Sequence, residues 1–195
     1  MIFTPTKLNG VWLIEPEYHA DERGFFARTW CCREFEERGL NPRLVQCNVS
    51  FNRRMGTLRG MHWQRAPHGE CKLVRCTQGA IFDVVVDLRP ESATHLQWVG
   101  TKLSVENHLA FYIPEGCAHG FQTLTENSEV YYQMSQFYAE KSTAGARWDD
   151  PAFGIEWPLP VSFLSDHDGS YPAMEPVPSL NHTQHHSSMI NTRET

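Results

Sequence analysis

The sequence predicts an all-β fold, an antiparallel sandwich or barrel, and three observations carry that expectation. Strand-like runs recur at short intervals, Gly, Pro, Asn or Asp separate them, and one stretch alone carries a helical signature. The runs are VWLI at 11–14, LVQCNVSF at 44–51, KLVRC at 72–76, AIFDVVVDL at 80–88, LQWVGTKLSV at 96–105, HLAFYI at 108–113 and EVYYQMSQFY at 129–138. In AIFDVVVDL, Phe82, Val84, Val86 and Leu88 share one face and Asp83 and Asp87 the other, which is the alternation of a strand. Gln78-Gly79 just before it reads as a hairpin turn. The helical candidate, CCREFEERG at 31–39, is rich in Glu and Arg, is stopped by Gly39, and is placed outside the sheets.

A chain of 195 residues that is 41% hydrophobic fits one domain, assigned to 1–172, with a polar tail or assembly arm over 173–195. His182, His185 and His186 of that tail read as solvated. The net charge of −6 comes without a basic stripe, which argues against nucleic acid, while a few converging Arg, Lys and His side chains still suit a small anion. The six cysteines, at 31, 32, 47, 71, 76 and 117, form no CxxC pair, so structural zinc is not expected. The opening MIFTPTKLNG has no secretory pattern and no apolar run approaches the roughly 18 residues of a membrane span. The expectation is a cytoplasmic protein with reduced thiols, free of the membrane.

Three short stretches carry the chemistry: GTLRGMHWQ at 56–64, CKLVRC at 71–76 and IPEGCAHGF at 113–121. Lys72 has the strand parity of Val74 and Cys76, so a cation lies on an apolar face, an expensive placement unless a site uses it. His62-x-Gln64, Glu70 and His119 fall near the spacing of a cupin, a double-sheet jelly roll, here with a few short peripheral helices. Pro114, Gly116 and His119 complete its last element, but Gln64 replaces the second histidine of metal-binding cupins, and a neutral amide is a weak transition-metal ligand. The site is therefore read without metal or other cofactor. Its interior then holds His62, Lys72, His119 and, by parity with Val130, Met134 and Tyr138, Tyr132. A histidine that takes a carbon-bound proton, an ammonium facing the enolate oxygen and a phenol returning a proton from the other side give inversion at carbon. Arg59 and His62 are three apart, so both face inward only if Gly60 bulges the strand.

These motifs resemble the dTDP-4-dehydrorhamnose 3,5-epimerase family, from Asp21-Glu-Arg-Gly-Phe-Phe26 to about Asp168. The resemblance is carried by Gln46-x-Asn48-x-Ser50, Gly56 to Gln64, Lys72-Leu-Val-Arg, Tyr112 to Phe121, Tyr132-Gln, and Trp148-Asp-Asp-Pro151 leading to Trp157-Pro. It implies a metal-free cupin homodimer, with N-terminal strands or an arm crossing between subunits, that epimerises C3 and C5 of a nucleotide-linked 4-keto-6-deoxyhexose. It further implies that His62 is the general base oriented by Asp168, Tyr132 the general acid, and Lys72 the group facing the C4 oxygen. Asp166 is the rival carboxylate. Arg23, Phe26, Arg59 and His119 are implied on the sugar or diphosphate, Gln46 and Asn48 on the nucleotide side, and Tyr138 against the base. Arg28, Thr143 and His167 depart from the family's common Glu, Glu and Lys, so dTDP is the leading nucleotide and GDP, CDP and UDP stay open as alternatives. A single-carbon epimerase, a 3,4-ketoisomerase, a metal-dependent dioxygenase and a non-catalytic sugar-binding cupin are the competing functions.

Overall fold

Strand by strand, the apolar positions turn inward between two antiparallel sheets in the computed structural model, which describes residues 1–174. One sheet is ordered β1 (Ile2–Pro5), β2 (Trp12–Glu15), β10 (Ala110–Ile113), β7 (Lys72–Gln78), β12 (Ser128–Met134) and β5 (Gln46–Asn52). The other is ordered β13 (Thr143–Gly145), β6 (Leu58–Gln64), β11 (Cys117–Thr123), β8 (Ala80–Asp87) and β9 (Trp98–Ser104). A separate hairpin pairs β3 (Tyr18–Asp21) with β4 (Gly24–Ala27). The result is the all-β, cupin-like double sheet that the alternation of short runs predicts. Among the described residues no helix is long and apolar enough to cross a membrane. From residue 175 on, the expected tail and its histidines lie outside the described residues.

Val74, Cys76, Val130, Phe111 and Ile113 of the first sheet meet Ile81, Val85, Leu103, Cys117 and Phe121 of the second. Burying each large aliphatic or aromatic side chain contributes roughly 1.5–3 kcal/mol, so this layer clamps the sheets together. On the back of the six-stranded sheet, Phe35 of α1 (Cys32–Glu36) packs with Ile14, Leu73 and Tyr112. The helix is shorter than the 31–39 stretch, and Gly39 ends the turn beyond it with a φ of +68°. Behind the five-stranded sheet, Phe153 and Trp157 cover Val84 and Val86.

Two expectations need correction. Gln78-Gly79 is not a hairpin turn, because β7 and β8 belong to different sheets; Gly79, with a φ of +72°, carries the chain from one sheet to the other. The run 129–138 does not stay extended to Tyr138. β12 stops at Met134, where Ser135 turns to Cys71, accepting its N–H at Oγ (2.7 Å) and donating its own N–H to its carbonyl (3.0 Å). The layer of apolar side chains does not fill the whole sandwich. Toward one end Asn48, Arg59, His62, Lys72, His119 and Tyr132 replace it and leave a cavity.

Candidate active site

The cavity begins with the way GTLRGMHWQ folds. His62 pairs with His119 across β6 and β11, but Arg59 pairs with Phe121, so three steps along β6 match two along β11. The extra residue is the bulge expected at Gly60, and it turns both Arg59 and His62 into the cavity. Gly60 has a φ of +123°, and a Cβ there would sit 2.5 Å from the Cα of Gly120. No side chain fits between these two backbones.

Asp168 reaches His62 from α2 (Asp166–Gly169), a single turn whose Ser165 cap accepts the N–H of Asp168 at 3.1 Å. Its Oδ1 lies 2.7 Å from Nε2 of His62, and its Oδ2 accepts the N–H of Gly60 at 3.3 Å. Burial acts to raise the Asp168 carboxyl, yet the bond to His62, its charge and the Gly60 N–H prevail and hold it below the ordinary carboxylate range. The rival Asp166 stands exposed on the same turn. One imidazole nitrogen is thus tied to a carboxylate 5% exposed, and the other is left for chemistry.

The remaining walls come from β5, β7, β11 and β12. Lys72 is buried, ion-paired to Glu70 Oε1 at 3.2 Å, and donates to the carbonyl of His62 at 3.2 Å. His119 bonds Asp83 Oδ1 at 2.7 Å, a second imidazole–carboxylate pair, and Asp83 Oδ2 has no hydrogen-bond partner among the described residues. Full burial pushes the Asp83 carboxyl up, with His119 and Lys72 opposing. Tyr132 stands edge-on to His119 at 5.8 Å. Burial drives its phenol far above the ordinary value, Asp83 adds to the rise, and Arg59 opposes it. The cavity these groups enclose holds about 270 Å³. It brings an imidazole tied to a carboxylate, a lysine amine and a phenol to one volume, groups of the kind that can move protons on carbon beside a carbonyl.

A second cleft of about 280 Å³ adjoins the first through Asn48, His62 and Met134, and is further lined by Gln46, Tyr138 and Tyr171. Gln64 shapes its floor by donating to Glu70, His68 and Phe137 and accepting the N–H of Ala139 at 2.6 Å. That amide is used up as a structural tie, and among the described residues no three His, Cys, Asp or Glu side chains are arranged to hold a metal ion.

Comparison with known proteins decides the family. A sequence profile of dTDP-4-dehydrorhamnose 3,5-epimerase matches residues 5–176. The chain belongs to the dTDP-4-dehydrorhamnose 3,5-epimerase family. It is 49% identical over 158 residues to the enzyme of that name from Methanothermobacter thermautotrophicus, covering 80% of this chain and 84% of that one. It is 39% identical over 169 residues to the dTDP-4-dehydrorhamnose 3-epimerase of Streptomyces niveus, 86% of this chain and 81% of the relative. Among solved structures, the dTDP-6-deoxy-D-glucose-3,5-epimerase of Legionella pneumophila, in complex with dTDP-4-keto-L-rhamnose, is similar with a TM-score of 0.82 and 38% identity. That likeness covers 88% of this chain and 92% of the Legionella chain.

For this member of the epimerase family, the expected site residues divide into two groups. His62, Lys72, Arg59, His119, Tyr132 and Asn48 line the first cavity, Gln46 and Tyr138 the adjoining cleft, and Asp168 stands behind His62. Arg23 and Phe26 are not brought to either space. They sit on the exposed β3–β4 hairpin, where Asp21 takes the Arg23 guanidinium and Phe26 is 74% exposed. Of the three departures from the family pattern, Thr143 and His167 line the second cleft, while Arg28 is paired with Glu34 at 3.0 Å outside both. Sequence reasoning missed Asp83 and Tyr171. Asp83 has the parity of Ile81 and Val85, both core residues, and that was its available signal; Tyr171 follows a short irregular turn and gave none.

Proposed function

We propose that this chain epimerises C3 and C5 of a nucleotide-linked 4-keto-6-deoxyhexose, converting dTDP-4-dehydro-6-deoxyglucose to dTDP-4-dehydrorhamnose. The observation that carries the reading is one cavity lined by His62, bonded to Asp168, and by Lys72 and Tyr132. His62 takes the proton from the carbon next to the C4 ketone, Asp168 stabilising the imidazolium that forms. The electron pair passes to the C4 oxygen, where Lys72 meets the developing charge. Tyr132 then donates to the opposite face of the same carbon, inverting it, and solvent restores both groups. Arg59 and His119 hold the sugar or diphosphate, Gln46 and Asn48 the nucleotide side, and Tyr138 stacks on the base. Solvent deuterium entering C3 and C5, followed by NMR, tests this reading. A folded protein that incorporates none from dTDP, GDP, CDP or UDP sugars overturns it, as does a fully active His62→Ala variant.

The Streptomyces niveus relative is named a 3-epimerase, and this favours a second reading in which one carbon alone is inverted. Deuterium at C3 without deuterium at C5 selects it. The exposed hairpin, with Phe25 and Phe26, and edge strand β5, with Val49 and Phe51 exposed, support a homodimer in which the hairpin reaches the second subunit. A monomeric mass by light scattering at micromolar concentration contradicts that assembly. Six free cysteines among the described residues support a reducing, cytoplasmic setting.

A further inference from the structure

We propose that Tyr171 is a positioning residue for His62, setting the plane of the imidazole that Asp168 tethers at one nitrogen. The proposal rests on His62 acting as the base in the reading above. A general base works only while its free nitrogen stays within hydrogen-bond reach of the proton it removes. One hydrogen bond at Nε2 fixes a point on the ring, not its tilt, and the His62 side chain is 37% exposed, so its outer side has no core packing to hold it. Tyr171 supplies the missing constraint. Its ring stands edge-to-face against His62, centroids 6.0 Å apart with planes at 65°.

Tyr171 is itself held from two sides. Its hydroxyl shares a 2.8 Å hydrogen bond with Nε2 of His167, whose ring lies 4.9 Å away. Its ring occupies the space above Gly145, the β13 residue that pairs with His62, and a Cβ on Gly145 would fall 2.1 Å from Cζ of Tyr171. The absence of a side chain at position 145 is therefore what admits the phenol ring beside the imidazole. The segment from Ser165 to Tyr171 thus delivers two constraints to one ring, a carboxylate at its nitrogen and an aromatic edge against its plane.

The test is a kinetic cycle on the full chain, with solvent-deuterium exchange as the rate and the melting temperature and far-UV circular dichroism as the check on fold. Tyr171→Ala is expected to lower kcat about ten- to hundredfold, the scale of a misplaced catalytic group, with KM moving far less. Tyr171→Phe keeps the ring and is expected to recover most of that loss. Gly145→Ala displaces the ring without altering it, so it reproduces the Tyr171→Ala defect alone and adds little in the Gly145→Ala/Tyr171→Ala double variant. A Tyr171→Ala enzyme with wild-type kcat, a loss confined to KM, a Tyr171→Phe enzyme as slow as the Ala variant, or full additivity in the double variant overturns the proposal. Retained exchange in His62→Ala instead removes the function reading on which it rests, so the two failures are told apart.

Discussion

Asp168→Asn keeps the shape of a buried side chain and removes its charge, which isolates what the carboxylate does for His62. The pair is close, 2.7 Å between Oδ1 and Nε2, and Asp168 is almost wholly enclosed. When the imidazole takes a proton, a cation forms beside the carboxylate. Charge centres about 4 Å apart at an effective dielectric of about 20 attract by about 4 kcal/mol. Asparagine restores a neutral hydrogen bond of about 1 kcal/mol, leaving a loss of about 2–3 kcal/mol in the transition state, or roughly 30- to 150-fold in rate. Asp168 lines neither cavity, so the loss belongs in kcat, with KM little changed. Rates of deuterium entry into the sugar, at saturating and at low substrate, separate the two constants. A folded Asp168→Asn protein turning over within about threefold of wild type refutes this assignment of the dyad.

Two further substitutions probe the frame around the site. Gly60→Ala meets both a positive φ, worth about 1–3 kcal/mol of strain, and the Gly120 backbone at 2.5 Å, so it is expected to melt several degrees lower and to lose activity through Arg59 and His62. Gly24→Ala, with a φ of +130° and nothing within 4 Å, carries the strain alone and should be much milder; equal melting losses in the two would contradict the packing argument. Burial acts to raise Asp87, but bonds from Arg89, Ser92 and Thr94 prevail and depress its carboxyl, so its stabilisation is complete above the ordinary carboxylate pKa and fades as pH falls below it. Asp87→Asn is therefore expected to lower the melting temperature at pH 7 by about 5–10 °C, for a loss of about 2–3 kcal/mol, with the gap narrowing below about pH 4; a constant gap across that range counts against it.

The sheets were legible because their signal is local. Alternation in AIFDVVVDL and the parity of Lys72 with Val74 depend only on neighbours along one strand, and the structure keeps both. The Gly60 bulge was legible for the same reason: two polar residues three apart on one strand cannot face one side without an extra residue. What escaped depends on partners distant in sequence. Whether Gly79 makes a hairpin or a corner between sheets is decided by which strands β7 and β8 pair with, and β12 ends early because Cys71 captures Ser135. Tyr171 meets His62 across more than a hundred residues of chain, through a glycine whose significance appears only when the ring is seen above it. Asp83 was read as the polar side of its strand, yet both faces of β8 are buried, one on the sandwich core and one under Phe153 and Trp157.

On the proposed reading, that buried face bears on how acid and base are kept apart. Inversion at carbon needs one group ready to take a proton and another ready to give one at the same pH, so the two must stand in different surroundings. Tyr132 stands beside His119, which is 4% exposed, and near Asp83, and both burial and the Asp83 charge oppose loss of its proton. His62 is reached by the adjoining cleft and is bonded through Nε2 to Asp168. The difference thus lies in the neighbours: on the proposed reading, Asp83 and burial keep the proton on Tyr132, the acid, while Asp168 holds the ring of His62, the base, at one nitrogen.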